Sequence, residues 1–319
     1  MVGRPDMSLG QGYKQVGFFR RVYADIRKHP MLYVIIAPVI LYYLLFCYKP
    51  MYGALIAFTN YRPGSRLLSN WIGFANFRDF FHARDFKRLI ENTITISLNS
   101  IFWGFPAPIL LALLMNELRS RRFARVVQTI SYMPHFISMV VMCGMITSFV
   151  SSSGVITQSL LALRVIPKPI SLLSKAPYFV PIYVISGIWQ EVGYGSIIYL
   201  AALTGVSAEL YEAATIDGAN RWKQTLHVTL PGILPTIITM LILRMGAVMS
   251  VGSEKIILLY NAATYSTADV ISSYVYRKGI QSAQYSFSTA VGLFNSVINC
   301  AMLILVNAIS RRLSETSLW

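Results

Sequence analysis

The chain has 319 residues, 55% of them apolar and only 13% charged, whereas a soluble protein carries about 25% charged residues; with a mean hydropathy of +0.54 this excludes an ordinary soluble domain. The net charge of +15 sits in loops between apolar runs, where retention on one face of a bilayer explains it and nucleic acid is set aside as a partner. Cys47, Cys143 and Cys300 each fall in a different apolar run, where they read as small apolar residues and exclude a disulfide framework.

Runs of roughly 20 apolar residues, enough to cross about 30 Å of hydrocarbon, predict six membrane spans at about 31–48, 93–115, 127–150, 178–203, 233–253 and 287–309. The residues before the first run contain Arg20, Arg21, Arg27 and Lys28 without a signal-peptide core. They predict a basic tail over 1–30, an uncleaved first span and a membrane domain over 31–319. Pro38 lies in the first span and Lys49-Pro50 closes it. The long loop after it mixes Trp71, Phe74, Phe77, Phe80 and Phe81 with Arg62, Arg66, Arg78 and Arg84, which suits a helix at headgroup level, a lid or a docking face. In the second span Gly104, Pro106 and Pro108 predict bending, either for a transport path or as ordinary packing irregularity.

The tally of bases on the two faces is nearly even, but Leu118 to Val126 packs Arg119, Arg121, Arg122 and Arg125 into one short loop. Short loops weigh most in the positive-inside rule, so this loop, both termini and residues 204–231 are expected in the cytoplasm. In the fourth span Trp189, Gln190, Glu191 and Tyr194 offer a ring face beside hydrogen-bonding groups, the chemistry that holds a sugar; an interfacial aromatic belt accounts for Tyr194 equally well.

Residues 211–237, YEAATIDGANRWKQTLHVTLPGILPTI, interrupt the oil with polar and punctuating residues. Ser207 is expected to cap a short helix with Glu209 and Glu212 near its positive end, and Gly218 to stop it. A second short helix from about Ala219 would put Trp222 and Leu226 on one face, with Pro231 and Pro235 marking the turn into the fifth span. In that span Arg244 is costly unless it faces a partner, water or a cavity. It is expected to pair with Glu191 or Glu254, or to meet an anionic sugar. Glu254 and Lys255 read as a gate rim or an exposed pair. His29, His82, His135 and His227 have no metal-ligand spacing, and neither a catalytic set nor a metal site is expected.

Glu212-Ala213-Ala214, Gly218, Val228 and Leu230-Pro231 follow one another at the spacing of the EAA loop. In this the chain resembles the permease subunits of ATP-binding-cassette importers, with Val228 where isoleucine is usual. The stretches YKPMYGALIAFTNY (48–61), WIGFANFRDFF (71–81), QTISYMPHFISMVV (128–141), LLYNAATYSTADVISSYVYRKG (258–279) and the C-terminal 292–319 extend the resemblance to permeases for oligosaccharide uptake. The resemblance implies an all-α membrane protein of type I importer fold, multi-pass in a bacterial inner membrane. It implies as partners a second similar permease, two ATPase subunits carrying ATP and Mg, an extracytoplasmic binding protein and an oligosaccharide, possibly a uronate. The EAA loop, about 204–235, would be the coupling helix: Glu212 pairing with a base on the ATPase, Ala213 and Ala214 fitting its cleft, Gly218 making the bend and Leu230-Pro231 completing the motif. No lysine follows a glycine, so the chain has no phosphate-cradling P-loop and no cofactor of its own is expected. A secondary carrier or channel independent of an ATPase is the rival expectation, and a membrane enzyme on lipid-linked sugars would need paired acids that the sequence does not group.

Overall fold

The computed structural model describes residues 23, 25–66 and 70–313, so most of the expected basic tail over 1–30 lies outside the described residues. The chain divides into two compact units, one up to Leu55 and one from Ile56 onward. In the first, α1 (Pro30–Tyr42) starts on a proline at its first turn, where the missing N–H costs nothing, and carries Pro38 inside. A π turn, Tyr43–Tyr48, and a last turn, Lys49–Met51, follow, and no residue in any of these three segments is buried.

In the second unit α2 (Ala75–Phe81) seats Phe80, which is fully buried against Phe86, Tyr274, Phe287 and Phe294. The helix expected at headgroup level is therefore anchored by one ring into an aromatic cluster. Then α3 (Phe86–Gly104) and α4 (Pro106–Asn116) join at Phe105 into one candidate span of 31 residues. α5 (Arg121–Tyr132) and α6 (Met139–Phe149) flank a 3-10 turn, Met133–Phe136, and are bent by 100°. The expected third span, about 127–150, is thus broken in two. Pro134 has no N–H to give to a helical ladder, and Ser138 caps the fresh start by accepting from the Val141 N–H at 3.4 Å.

After α7 (Val155–Ala162) comes α8 (Ala176–Leu203), which packs along both α4 and α3 and is the central rod of the unit. α9 (Ala208–Ile216) leaves α8 at 76°, and α10 (Arg221–Gln224) continues through a π turn, Thr225–Thr229, into α11 (Leu230–Met245). The expected turn at Pro231 and Pro235 is instead an unbroken helix from Arg221 to Met245, in which the wider π bonding over Thr225–Thr229 carries the chain past Pro231 and Pro235 lies inside the helix.

The helix stops at Met245 rather than near 253. Beyond it the Asn299 side chain accepts from the Met249 N–H and Ser97 Oγ donates to the Val248 carbonyl, so side chains replace the helical ladder. Three short helices, α12 (Ser253–Leu259), α13 (Tyr265–Ala268) and α14 (Ile271–Tyr276), lead to α15 (Tyr285–Leu313). Four helices are long and apolar enough to cross a membrane and the two bent pairs raise the number to six, the number predicted. Among the described residues no strand forms beyond an isolated bridge between Thr59 and Trp71.

Candidate functional site

A cavity of about 770 Å³ opens beside α8, lined by α3, α8, the end of α11 and the ribbon that follows it. Its size lies within the roughly 300–1,000 Å³ of small-ligand sites. Gln190, Glu191, Arg244 and Glu254, four of the six residues expected along a sugar path, line it. Trp189 and Tyr194 do not. Trp189 is 43% exposed, and Tyr194 stacks face to face on His135 at 3.8 Å between ring centres.

The expected pairing of Arg244 is not formed: among the described residues it makes no ion pair, while Glu191 meets His135 Nδ1 at 3.1 Å. Gln190 is 5% exposed with Nε2 3.5 Å from the Ile137 carbonyl, beside the break between α5 and α6. Arg244 thus lines the cavity with no carboxylate at ion-pair distance among the described residues, beside the likewise unpaired Glu254, and its planar fork matches a carboxylate.

One lining residue, Tyr183, escaped the sequence reading, and another, Lys255, lies differently from its expected place. Lys255 is 5% exposed, not an exposed rim group; its ammonium donates to the Tyr183 carbonyl at 2.8 Å and sits 4.5 Å from the centre of the Tyr183 ring. Burial pulls its pKa down to about 8, against a smaller upward pull from Cys143 and Glu191. Tyr183 is the aromatic ring that lines the cavity where Trp189 was expected, with the Lys255 ammonium against it. The available signal was helical register: Tyr183, Gly187, Gln190, Glu191 and Gly195 fall on one face at spacings of three and four.

The caps expected between Ser207 and Gly218 form. Ser207 Oγ accepts from the Glu209 N–H at 3.3 Å, Gly218 turns the chain with φ of +74°, and Asn220 accepts from the Lys223 N–H at 2.9 Å to start α10. A side chain at Gly218 would be strained in that left-handed conformation. The Gln224 amide donates to Thr215 Oγ1 at 3.0 Å and Tyr211 to Thr229 Oγ1 at 3.0 Å, clamping the two limbs together. Arg221 reaches Glu117 at 2.7 Å and ties this joint to the end of the second span. Glu212 and Ala213 are exposed and Ala214 is half-buried; no residue of α9 or α10 is buried. Among the described residues Glu212 has no ionic partner, and Ile216 is 86% and Trp222 70% exposed. Leu230 is half-buried and Pro231 exposed at the start of α11.

Between the last two spans lies a polar cluster without counterpart in the sequence reading. Asp269, fully buried, accepts two hydrogen bonds from Arg277 at 2.6 and 2.8 Å, one from Arg88 at 3.1 Å and one from Ser273 at 2.9 Å. Arg88 also pairs with Asp85 at 2.7 Å, and the Arg277 guanidinium lies 5.0 Å from the Tyr265 ring centre. The hydrogen bonds to Asp269 raise the Arg277 pKa further, and two acids face two bases in the cluster.

Comparison with known proteins fits this architecture. The protein LplB of Bacillus subtilis (strain 168) is 41% identical over 298 residues, 93% of each chain. The polygalacturonan/rhamnogalacturonan transport system permease protein YteP of the same organism is 37% identical over 301 residues, 94% of each. A crystal structure of a bacterial ABC transporter involved in the import of the acidic polysaccharide alginate contains a chain 43% identical, superposing with a TM-score of 0.85 over 92% of this chain and 99% of that one. A second crystal structure, of the alginate transporter in complex with alginate pentasaccharide-bound periplasmic protein, matches equally at 0.85 and 43%. Residues 104–315 match the family described as binding-protein-dependent transport system inner membrane component. With that match covering the cavity-lining ends of α8 and α11 and the whole segment from α9 to α11, the chain belongs to the inner membrane permease components of binding-protein-dependent transport systems.

Proposed function

We propose that this permease passes an anionic oligosaccharide, of uronate type, through the cavity beside α8, with Arg244 as the group that meets a sugar carboxylate. The unpaired Arg244 carries this reading: a guanidinium in a bundle with no carboxylate at ion-pair distance, though Glu191 and Glu254 line the same cavity, has a ligand carboxylate as a fitting partner. Lys255 adds a second positive charge, Tyr183 a ring face, and Gln190, Glu191 and Glu254 acceptors for sugar hydroxyls. The relatives that handle polygalacturonan/rhamnogalacturonan and alginate support an acidic substrate.

In the same proposal residues 31–319 form the membrane domain, 1–30 a basic cytoplasmic tail, and both termini and α9 face the cytoplasm. The chain pairs with a second, homologous permease, an extracytoplasmic binding protein delivers the sugar, and two ATPase subunits holding ATP and Mg grip α9. Glu212 meets a base on the ATPase, Ala213 and Ala214 admit close approach, and Gly218 with Leu230 and Pro231 sets the angle of the joint.

Uptake into vesicles holding the whole complex, with uronate and neutral oligosaccharides of equal length, tests the substrate. Losing a charge-assisted hydrogen bond of about 1.5–3 kcal/mol predicts that Arg244→Gln lowers uronate uptake about tenfold or more and leaves neutral uptake unchanged. Unaltered uronate uptake in that variant would end the proposal. For the joint, Glu212→Ala is expected to release the ATPase subunits during purification, whereas ion-driven transport by an ATPase-free preparation would favour a secondary carrier.

A further inference from the structure

We propose that α5 is a binding site for anionic phospholipid headgroups, with Arg121, Arg122 and Arg125 as its phosphate contacts and Arg119 beside them. At 100° per residue the helix has three faces. Ala124 and Ser131 turn toward α8, where Gly193 approaches so closely that a Cβ there would collide with the Ser131 carbonyl. Phe123, Val126 and Ile130, with Met133 just beyond, form an apolar stripe, and these four are 53–65% exposed. Arg121, Arg122 and Arg125 make the third face, all exposed and, among the described residues, none in an ion pair.

No residue of α5 is buried, and its segregation of apolar from polar residues is sharper than that of the long helices α3 and α8. Its level in the bilayer follows from its neighbours. The second span ends at Asn116, five residues before Arg121, and Glu117 is held at 2.7 Å by Arg221, the first residue of another span. The arginines therefore stand where hydrocarbon gives way to headgroups. A helix with a bare basic face, an open apolar stripe and no acid matches a negatively charged lipid surface in both chemistry and depth. Glu117, the nearest acid in sequence, is already taken by Arg221. A soluble protein partner would match the basic face and leave the stripe without a cover.

The test uses the complete transporter complex in nanodiscs of phosphatidylcholine alone or with phosphatidylglycerol, counting lipids retained after transfer to detergent. Wild type is expected to retain phosphatidylglycerol in preference to phosphatidylcholine. Arg121→Gln/Arg122→Gln/Arg125→Gln is expected to lower that preference about tenfold or more, since each base near an anionic surface is worth a factor of about five. The corresponding triple lysine variant should keep most of the preference, because charge and not guanidinium shape is read. Equal retention of both lipids by wild type overturns the proposal without any variant. So does a glutamine variant that keeps the preference, or one that releases a protein subunit at unchanged lipid retention.

Discussion

The segment from Ser207 to Gln224 and the segment from Ser253 to Ser288 both connect spans, one crossing apart, and are built in opposite ways. The first leaves its groups open: Glu212 unpaired, Ile216 and Trp222 in solvent, nothing buried. The second closes on itself, with Asp269 at zero exposure gripped by Arg88, 181 residues away, and by Arg277. A segment held mostly by local contacts keeps its chemistry on the surface and in consecutive residues, as the proposed docking of another chain would need. A segment finished by its own chain draws its partners from anywhere in the sequence.

That contrast can be broken at four places. Asp269→Asn leaves two guanidinium groups without their shared counter-charge, and breaking a buried pair on one side costs about 3–5 kcal/mol. The complex should unfold at clearly lower temperature in a thermal scan, and an unchanged midpoint would mean that the cluster is not what holds this end. Gly218→Ala places a Cβ in a left-handed residue at a cost of about 1–2 kcal/mol. Here the expected reading is weaker retention of the ATPase subunits on a column, with the permease pair itself intact. Ile216→Ser changes a side chain 86% exposed and should move permease stability by no more than about 0.5 kcal/mol while weakening ATPase association; a large drop in stability would show that the surface is covered within the permease.

The smallest effect is set by pH. The Lys255 amine, lowered to about 8 by burial, loses its charge as pH rises from 7 to 9, so uronate uptake should decline over that interval. Lys255→Arg, which keeps its charge, should flatten the profile. Because folding depresses this pKa below the ordinary lysine value of 10.5, the protonated amine opposes folding and stability rises with pH between 8 and 10.5.

Consecutive patterns were legible in the sequence. Runs of apolar residues located six spans because hydropathy is a local property, and the caps at Ser207 and Gly218 act within three residues of their targets. The break at Met133–Phe136 was hidden because one proline in an apolar run bends a membrane helix by an amount that neighbours decide. The end of α11 depends on Asn299 and Ser97, 50 and 151 residues from the backbone groups they meet. Arg244 could be recognised as costly from its place in a span, but its freedom from Glu191 could not, since His135 takes that carboxylate from the far side of the α5–α6 break. Lys255 looked exposed beside Glu254 and is buried because the Tyr183 ring and carbonyl lie over it.

The unbroken run from Arg221 to Met245 has a mechanical corollary. Its 25 residues at 1.5 Å each make a lever about 37 Å long, with Arg221 at the surface end and Arg244 at the cavity end. A tilt of about 10° around the midpoint carries the Arg244 end about 3 Å, the length of one hydrogen bond. Under the proposed function, a rocking of that size is enough to seat or unseat a carboxylate at Arg244.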